Sequence, residues 1–260
     1  MATFLFDEII FGPVKSRRLG VSLGINLLPA KRKICNFNCI YCECGWTTDI
    51  EKVKDKLPSR ADVFKALDQK LSEMKTSNKH PDVITYAGNG EPTLHPEFEG
   101  IIDDSITLRN KYFPKAKIAV LSNATNIEKP GIKSALLKVD QNILKLDSAI
   151  DSTVQLHNQP KRTFNVEALI GNLSEFNGNV IVQTLFLRGT YKGRIIDNTT
   201  SVEIAGWLKA IEKIRPSEVM IYTISRDTPL GDQLKKVPLK ELKEIAAKVE
   251  KLGFKTQVSG

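Results

Sequence analysis

Cys35, Cys39 and Cys42 stand in the run Cys35-Asn36-Phe37-Asn38-Cys39-Ile40-Tyr41-Cys42. Three thiolates at this spacing can hold three corners of a cubic iron–sulfur cluster and leave the fourth iron open to a ligand. An open coordination position belongs to catalysis more than to electron storage. All four cysteines of the chain lie between positions 35 and 44. A disulfide framework would spread them, so a metal in a reducing compartment is the expectation. The competing reading is a zinc knuckle of Cys35, Cys39, Cys42 and Cys44. Zinc prefers paired Cys-x-x-Cys hooks separated by a longer loop, and only Glu43 stands between Cys42 and Cys44.

Other polar residues fall where strands are expected to end. Gly88-Asn89-Gly90-Glu91-Pro92-Thr93 follows one strand, and by composition alone it is an ordinary turn. Ser122 and Asn123 follow another, Lys145, Leu146 and Asp147 end a further one, and Gln183 lies within the next. Each puts a polar group where an apolar strand interior is expected. Arg17, Arg18 and Arg226 can bind an anionic substrate group bidentately, or else form internal ion pairs. His95 reads as a cap or packing residue; His157 is a weaker candidate for facing substrate. No serine–histidine–acid or metal-hydrolase pattern competes with the cysteines.

The elements that must position these residues alternate in type. Strands are expected over Val21–Leu28, Asp82–Ala87, Lys117–Leu121, Asn142–Leu146, Val180–Leu187 and Glu218–Thr223, with a possible last one over Phe254–Val258. Between them come amphipathic stretches. Ser59-Arg60-Ala61-Asp62 reads as a capping box opening a helix with Phe64, Leu67, Leu71 and Met74 at helical spacing. Further helices are expected over Pro96–Tyr112, Gly131–Val139, Val166–Phe176, Ser201–Ile214 and Pro238–Leu252. Six strand–helix units argue for a parallel sheet with helices outside. Periodicity does not separate an open doubly wound sheet from a partial barrel, and in both the chemistry gathers at the C-terminal strand ends. No linker composition divides residues 1–260, so one domain is expected: an N-terminal segment to residue 20, a core over 21–225 and a C-terminal helix and strand over 226–260.

The net charge of +8 permits a polyanionic partner, but its lysines are spread along the chain, as on any soluble surface. No apolar run approaches a membrane span and the first residues do not resemble a signal peptide, so a cytoplasmic protein is expected.

Cys-x-x-x-Cys-x-Tyr-Cys after the first strand of a repeating β/α chain resembles the cluster loop of the radical S-adenosylmethionine (radical SAM) superfamily. The resemblance implies a partial (β/α)6 TIM-like barrel. It also implies a 4Fe–4S cluster on Cys35, Cys39 and Cys42 whose unique iron chelates SAM, reductive cleavage to a 5′-deoxyadenosyl radical, and a reductant such as flavodoxin or ferredoxin. Cys44 is then a bystander. Tyr41 matches the aromatic near the adenine. Gly88, Asn89, Gly90 and Glu91 match the loop that binds the SAM amino group, with Asn89 a departure from the family's paired glycines. Ser122, Asn123, Asp147 and Gln183 complete the implied cofactor-binding set, and Arg17, Arg18 and Arg226 remain the substrate candidates. Gly12–Gly20, Gln155–Pro160 and Tyr222–Pro229 are similar to small proteins related to the tRNA wyosine-base synthases, which implies tRNA as one possible substrate. The competing class is a non-catalytic zinc or iron–sulfur protein for electron transfer or nucleic-acid binding.

Overall fold

The computed structural model describes residues 4–47 and 56–260. These fall into two compact α/β units. Among the described residues, one comprises 5–35, 47 and 56–142; the other comprises Phe4, 36–46 and 143–260.

In the first unit, β1 (Ile10–Ser16) and β2 (Gly20–Ile25) form an antiparallel hairpin. Strands β3 (Val83–Tyr86) and β4 (Lys117–Ser122) follow in parallel order, β2 beside β3 and β3 beside β4. Helices α1 (Arg60–Thr76), α2 (Phe98–Tyr112) and α3 (Pro130–Lys138) make the connections. The expected capping box is present: Ser59 accepts from the Asp62 N–H, and the Asp62 carboxylate accepts from the Ser59 N–H. The stripe that α1 buries is Val63, Leu67, Leu71 and Met74. Phe64, expected on it, is 41% exposed, because it lies about 100° around the helix from Val63.

The second unit continues from β5 (Gln141–Lys145) through β6 (Ile181–Tyr191), β8 (Glu218–Thr223) and β10 (Lys255–Ser259), each parallel to the next. Its helices are α4 (Asp151–His157), α5 (Val166–Ser174), α6 (Ser201–Ile214) and α7 (Leu239–Lys251). Fully buried Trp207 of α6 packs edge-on against Phe186 of β6, its indole N–H donating to Thr184 Oγ1 at 3.0 Å. The outer part of β6 carries two short antiparallel partners, β7 (Arg194–Asp197) and β9 (Leu234–Lys236). No expected strand or helix corresponds to β1, α4, β7 or β9.

Candidate cofactor site

In the first unit the C-terminal strand ends converge on Glu91. This carboxylate is buried, at 2% exposure. It accepts from Thr93 N–H at 3.1 Å and Oγ1 at 2.6 Å, from Ser122 Oγ at 2.8 Å and from Asn123 N–H at 2.7 Å. Burial pushes its pKa above the ordinary carboxylate value, and these hydrogen bonds oppose the rise. Ser122 and Asn123, separated from Glu91 by a whole helix in sequence, are therefore gathered around it at the strand ends.

The glycine loop also presents the first cysteine. Ile34 N–H donates to Asn89 O at 2.8 Å, and Glu91 N–H donates to Ile34 O at 3.0 Å. Gly90 has φ +137°, and a Cβ there would lie 1.7 Å from Ile34 O. Only glycine permits that approach. The residue preceding Cys35 is thus fixed by backbone bonds to the loop, and Asn123 Nδ2 reaches Cys35 Sγ at 3.5 Å. Asn89 is spent differently from its expected role. Its side chain accepts from Phe6 N–H at 2.8 Å and donates to Phe6 O at 2.7 Å and Pro29 O at 2.9 Å. It is fully buried, so the residue that departs from paired glycines staples the N-terminal segment to the loop.

In the second unit the strand ends carry a polar cluster around Asp147, whose side chain is fully buried. Tyr41 Oη donates to Asp147 Oδ2. Asn158 Nδ2 lies 2.7 Å from Asp147 Oδ2, 2.8 Å from Tyr41 Oη and 3.4 Å from Cys39 Sγ. The Leu185 N–H donates to Asp147 Oδ1 at 3.0 Å. Lys145 places its ammonium 3.5 Å from Asp147 and 5.3 Å from the centre of the Tyr41 ring. Burial acts to lower the Lys145 pKa, but Asp147 and the neighbouring groups outweigh it, so the pKa is raised and the lysine stays charged. Burial and the Asp147 charge together raise the Tyr41 phenol well above its usual range. Gln183 Nε2 donates to Tyr222 Oη at 2.7 Å, and Lys145 Nζ approaches the same oxygen at 3.4 Å. Tyr41 and Asp147 meet just beyond β5, and Gln183, third residue of β6, is linked to them through Tyr222 and Lys145. Asn158, Lys145 and Tyr222 join them. The signal for Lys145 was a polar residue amid an apolar strand run; Asn158, between His157 and Gln159, carried none.

Three expectations change. Arg17 and Arg18 occupy the turn between β1 and β2, at the N-terminal end of β2. The hairpin turns them to the pole opposite Glu91, where Arg18 helps line a cavity of about 760 Å³ with Lys75, His80, Tyr112 and Lys115. Arg226 follows β8 but pairs with Glu43 at 2.7 Å and lies over the Phe4 ring. His157 is buried at 1% exposure, and desolvation pushes its pKa down to about 4 against the opposing pull of Asp147 and Asp197. It is a neutral packing residue.

None of the four cysteines is in a disulfide. Cys35 and Cys39 are buried, while Cys42 and Cys44 are partly exposed. Among the described residues no three His, Cys, Asp or Glu side chains are gathered around a single metal-ion position. The donor set fits an iron–sulfur cluster in its chemistry: soft thiols, two of them already receiving side-chain N–H groups of the kind that tune cluster sulfurs. Among the described residues no helix is long and apolar enough to cross a membrane.

No family model matches the chain. It is 31% identical over 223 residues to the GTPase Obg of Brachyspira hyodysenteriae, but it spans only 30% of that protein's length. It contains no Gly-Lys pair, so what the two share is not a GTPase phosphate loop. It is 30% identical to the UPF0026 protein of Synechocystis over 86% of this chain and 78% of that one. The Helicobacter pylori UPF0026 protein matches at 30% identity, with 84% and 67% covered. Among solved structures, a radical SAM methyltransferase from Sphaerobacter thermophilus superposes with TM-score 0.65 at 11% identity, covering 92% of this chain and 65% of that one. Streptococcus suis SuiB, bound to S-adenosylmethionine, gives 0.63 at 14% identity, covering 88% and 49%. Archaeal TYW1 gives 0.51 at 12% identity, covering 88% and 71%. At such identities these likenesses establish the fold, an α/β architecture with a largely parallel sheet resembling the radical SAM partial barrel.

Proposed function

The chain belongs to the UPF0026 family, and we propose that it works as a radical SAM enzyme with Cys35, Cys39 and Cys42 as cluster ligands. When bound, the 4Fe–4S cluster supplies the electron that cleaves SAM to methionine and a 5′-deoxyadenosyl radical, which then takes a hydrogen from substrate. The chain's own residues hold and shield. Backbone bonds from Asn89 and Glu91 fix the segment entering Cys35. Asn123 and Asn158 direct amide N–H groups at Cys35 and Cys39. The residues that would seat SAM are Gly88, Gly90, Glu91, Ser122 and Asn123 in the first unit and Tyr41, Asp147 and Gln183 in the second. A reductant such as flavodoxin or ferredoxin delivers the electron. The substrate class suggested by the wyosine-synthase resemblance and the +8 charge is RNA, with tRNA the first to test.

The observation that carries this reading is the backbone clamp between the Gly88–Glu91 loop and Ile34, which joins the two motifs at the residue preceding Cys35. Anaerobic reconstitution with iron and sulfide, followed by SAM and dithionite, tests it. Release of 5′-deoxyadenosine is expected; one equivalent of zinc and no cleavage would sink the proposal. In the same assay Cys39→Ala loses the cluster and Cys44→Ala keeps it, read by iron content and visible absorption.

A further inference from the structure

Immediately after the cysteines, Trp46 stacks on Tyr191 with ring centroids 6.3 Å apart and an interplanar angle of 28°. Trp46 is 41% exposed although it is among the largest apolar side chains. Tyr191 is the last residue of β6, at the tip of the hairpin with β7. Beyond it Lys192, Gly193, Arg194 and Ile195 are exposed, Ile195 at 81%. The cross-strand partner of Tyr191 is Arg194, so the two side chains share one face. Lys192 Nζ stands 5.2 Å from the centre of the Tyr191 ring. Behind them β9 adds exposed Lys235 and Lys236. Arg188 is neutralised by Asp197 at 3.3 Å and Glu241 at 2.6 Å. Among the described residues none of Lys192, Arg194, Lys235 and Lys236 forms an ion pair.

The turn itself is informative. Lys192 and Gly193 both have positive φ, 50° and 71°, the mirror-image turn whose twist suits a hairpin. Asparagine or glycine is the favoured occupant of its first position, and a lysine there is held in a region that L-residues avoid. A strained cation at an exposed aromatic tip points to use rather than to stability.

We propose that Trp46, Tyr191, Lys192 and Arg194 form a ledge that binds single-stranded nucleic acid, the rings stacking on bases and the cations following the phosphates. This pairing of a flat aromatic platform with a basic track fits a strand of any sequence. Charge complementarity selects the occupant: the exposed residues of the ledge are cationic in a chain of net charge +8. The inference deepens the RNA half of the reading above and rests on it for the ledge's purpose. Trp46 lies four residues beyond Cys42 in the chain, so a strand held here enters beside the cysteine loop.

Fluorescence anisotropy of a labelled 12-nucleotide single-stranded RNA, and of the same DNA sequence, on the full chain tests the proposal without SAM turnover. Saturable binding is expected, with a log–log salt slope of about −0.7 for each phosphate neutralised. Trp46→Ala should weaken it about tenfold. Lys192→Asn should raise the melting temperature yet weaken binding and flatten the slope by about 0.7. A role confined to the turn would give the first effect without the second. A preference between RNA and DNA names the source, and either supports the ledge. Unchanged affinity in Trp46→Ala or Lys192→Asn overturns it, as does equal competition by base-free polyphosphate of the same charge. Concentration-dependent dimers abolished by Trp46→Ala, with no oligonucleotide binding, would make the ledge a protein contact and also overturn it. Failure to release 5′-deoxyadenosine sinks the radical reading separately and leaves these titrations standing.

Discussion

Lys145 shows how much the candidate site asks of single residues. A half-buried ammonium still needs a partner, and the one here, Asp147, also serves Tyr41, Asn158 and the Leu185 backbone. Lys145→Met leaves that carboxylate without its cation and should destabilise the protein by about 2–3 kcal/mol in urea denaturation. Adding Asp147→Asn should recover part of the loss. His157 supplies a pH dependence of its own. Its folded pKa, about 4, lies below the ordinary 6.5, so between those values the unfolded chain binds a proton that the native state refuses. The contribution is fully present above about pH 6.5 and is lost as pH falls toward 4, on the order of 3 kcal/mol at most. His157→Gln should flatten that limb of the stability–pH curve.

At the scale of elements, two glycines make opposite predictions. Gly171 lies inside α5, and a Cβ there would meet nothing within 4 Å. Gly171→Ala should raise stability by about 0.5–1 kcal/mol, seen as a higher denaturation midpoint. Gly90→Ala forces a Cβ into Ile34 O and should lower both stability and the iron retained after reconstitution. The elements also show what a sequence displays and what it hides. The bounds of α6 and β8 were legible because Thr200 caps the Glu203 N–H and the apolar spacing is regular. β1 was hidden because only Ile10 of its seven residues is buried, so no apolar alternation marks it. α4 is seven residues with no side-chain cap. β6 was cut short at Leu187 because Arg188, Gly189 and Thr190 resemble a loop until β7 and β9 pair with them.

For the molecule as a whole, the parallel strands and the residues at their C-terminal ends were readable, since β/α alternation fixes which end carries chemistry. The gathering of Ser122 and Asn123 around Glu91 followed from that rule. The position of Arg17 and Arg18 did not, because their placement depends on a hairpin that the sequence conceals. Asn158 was equally invisible: its bonds to Tyr41 and Asp147 span 117 and 11 residues, and nothing local distinguishes it from a turn asparagine.

The clamp on Ile34 also bears on damage and repair. The bonds that shape the cysteine loop run from Ile34 to Asn89, from Glu91 to Ile34, from Asn38 to Asn158 and from Ile40 to His157, all between backbone groups. Their strength does not depend on iron. On the proposed reading, a molecule whose cluster had been destroyed by oxygen would keep these bonds, and restoring it would require fresh iron and sulfide rather than resynthesis of the chain.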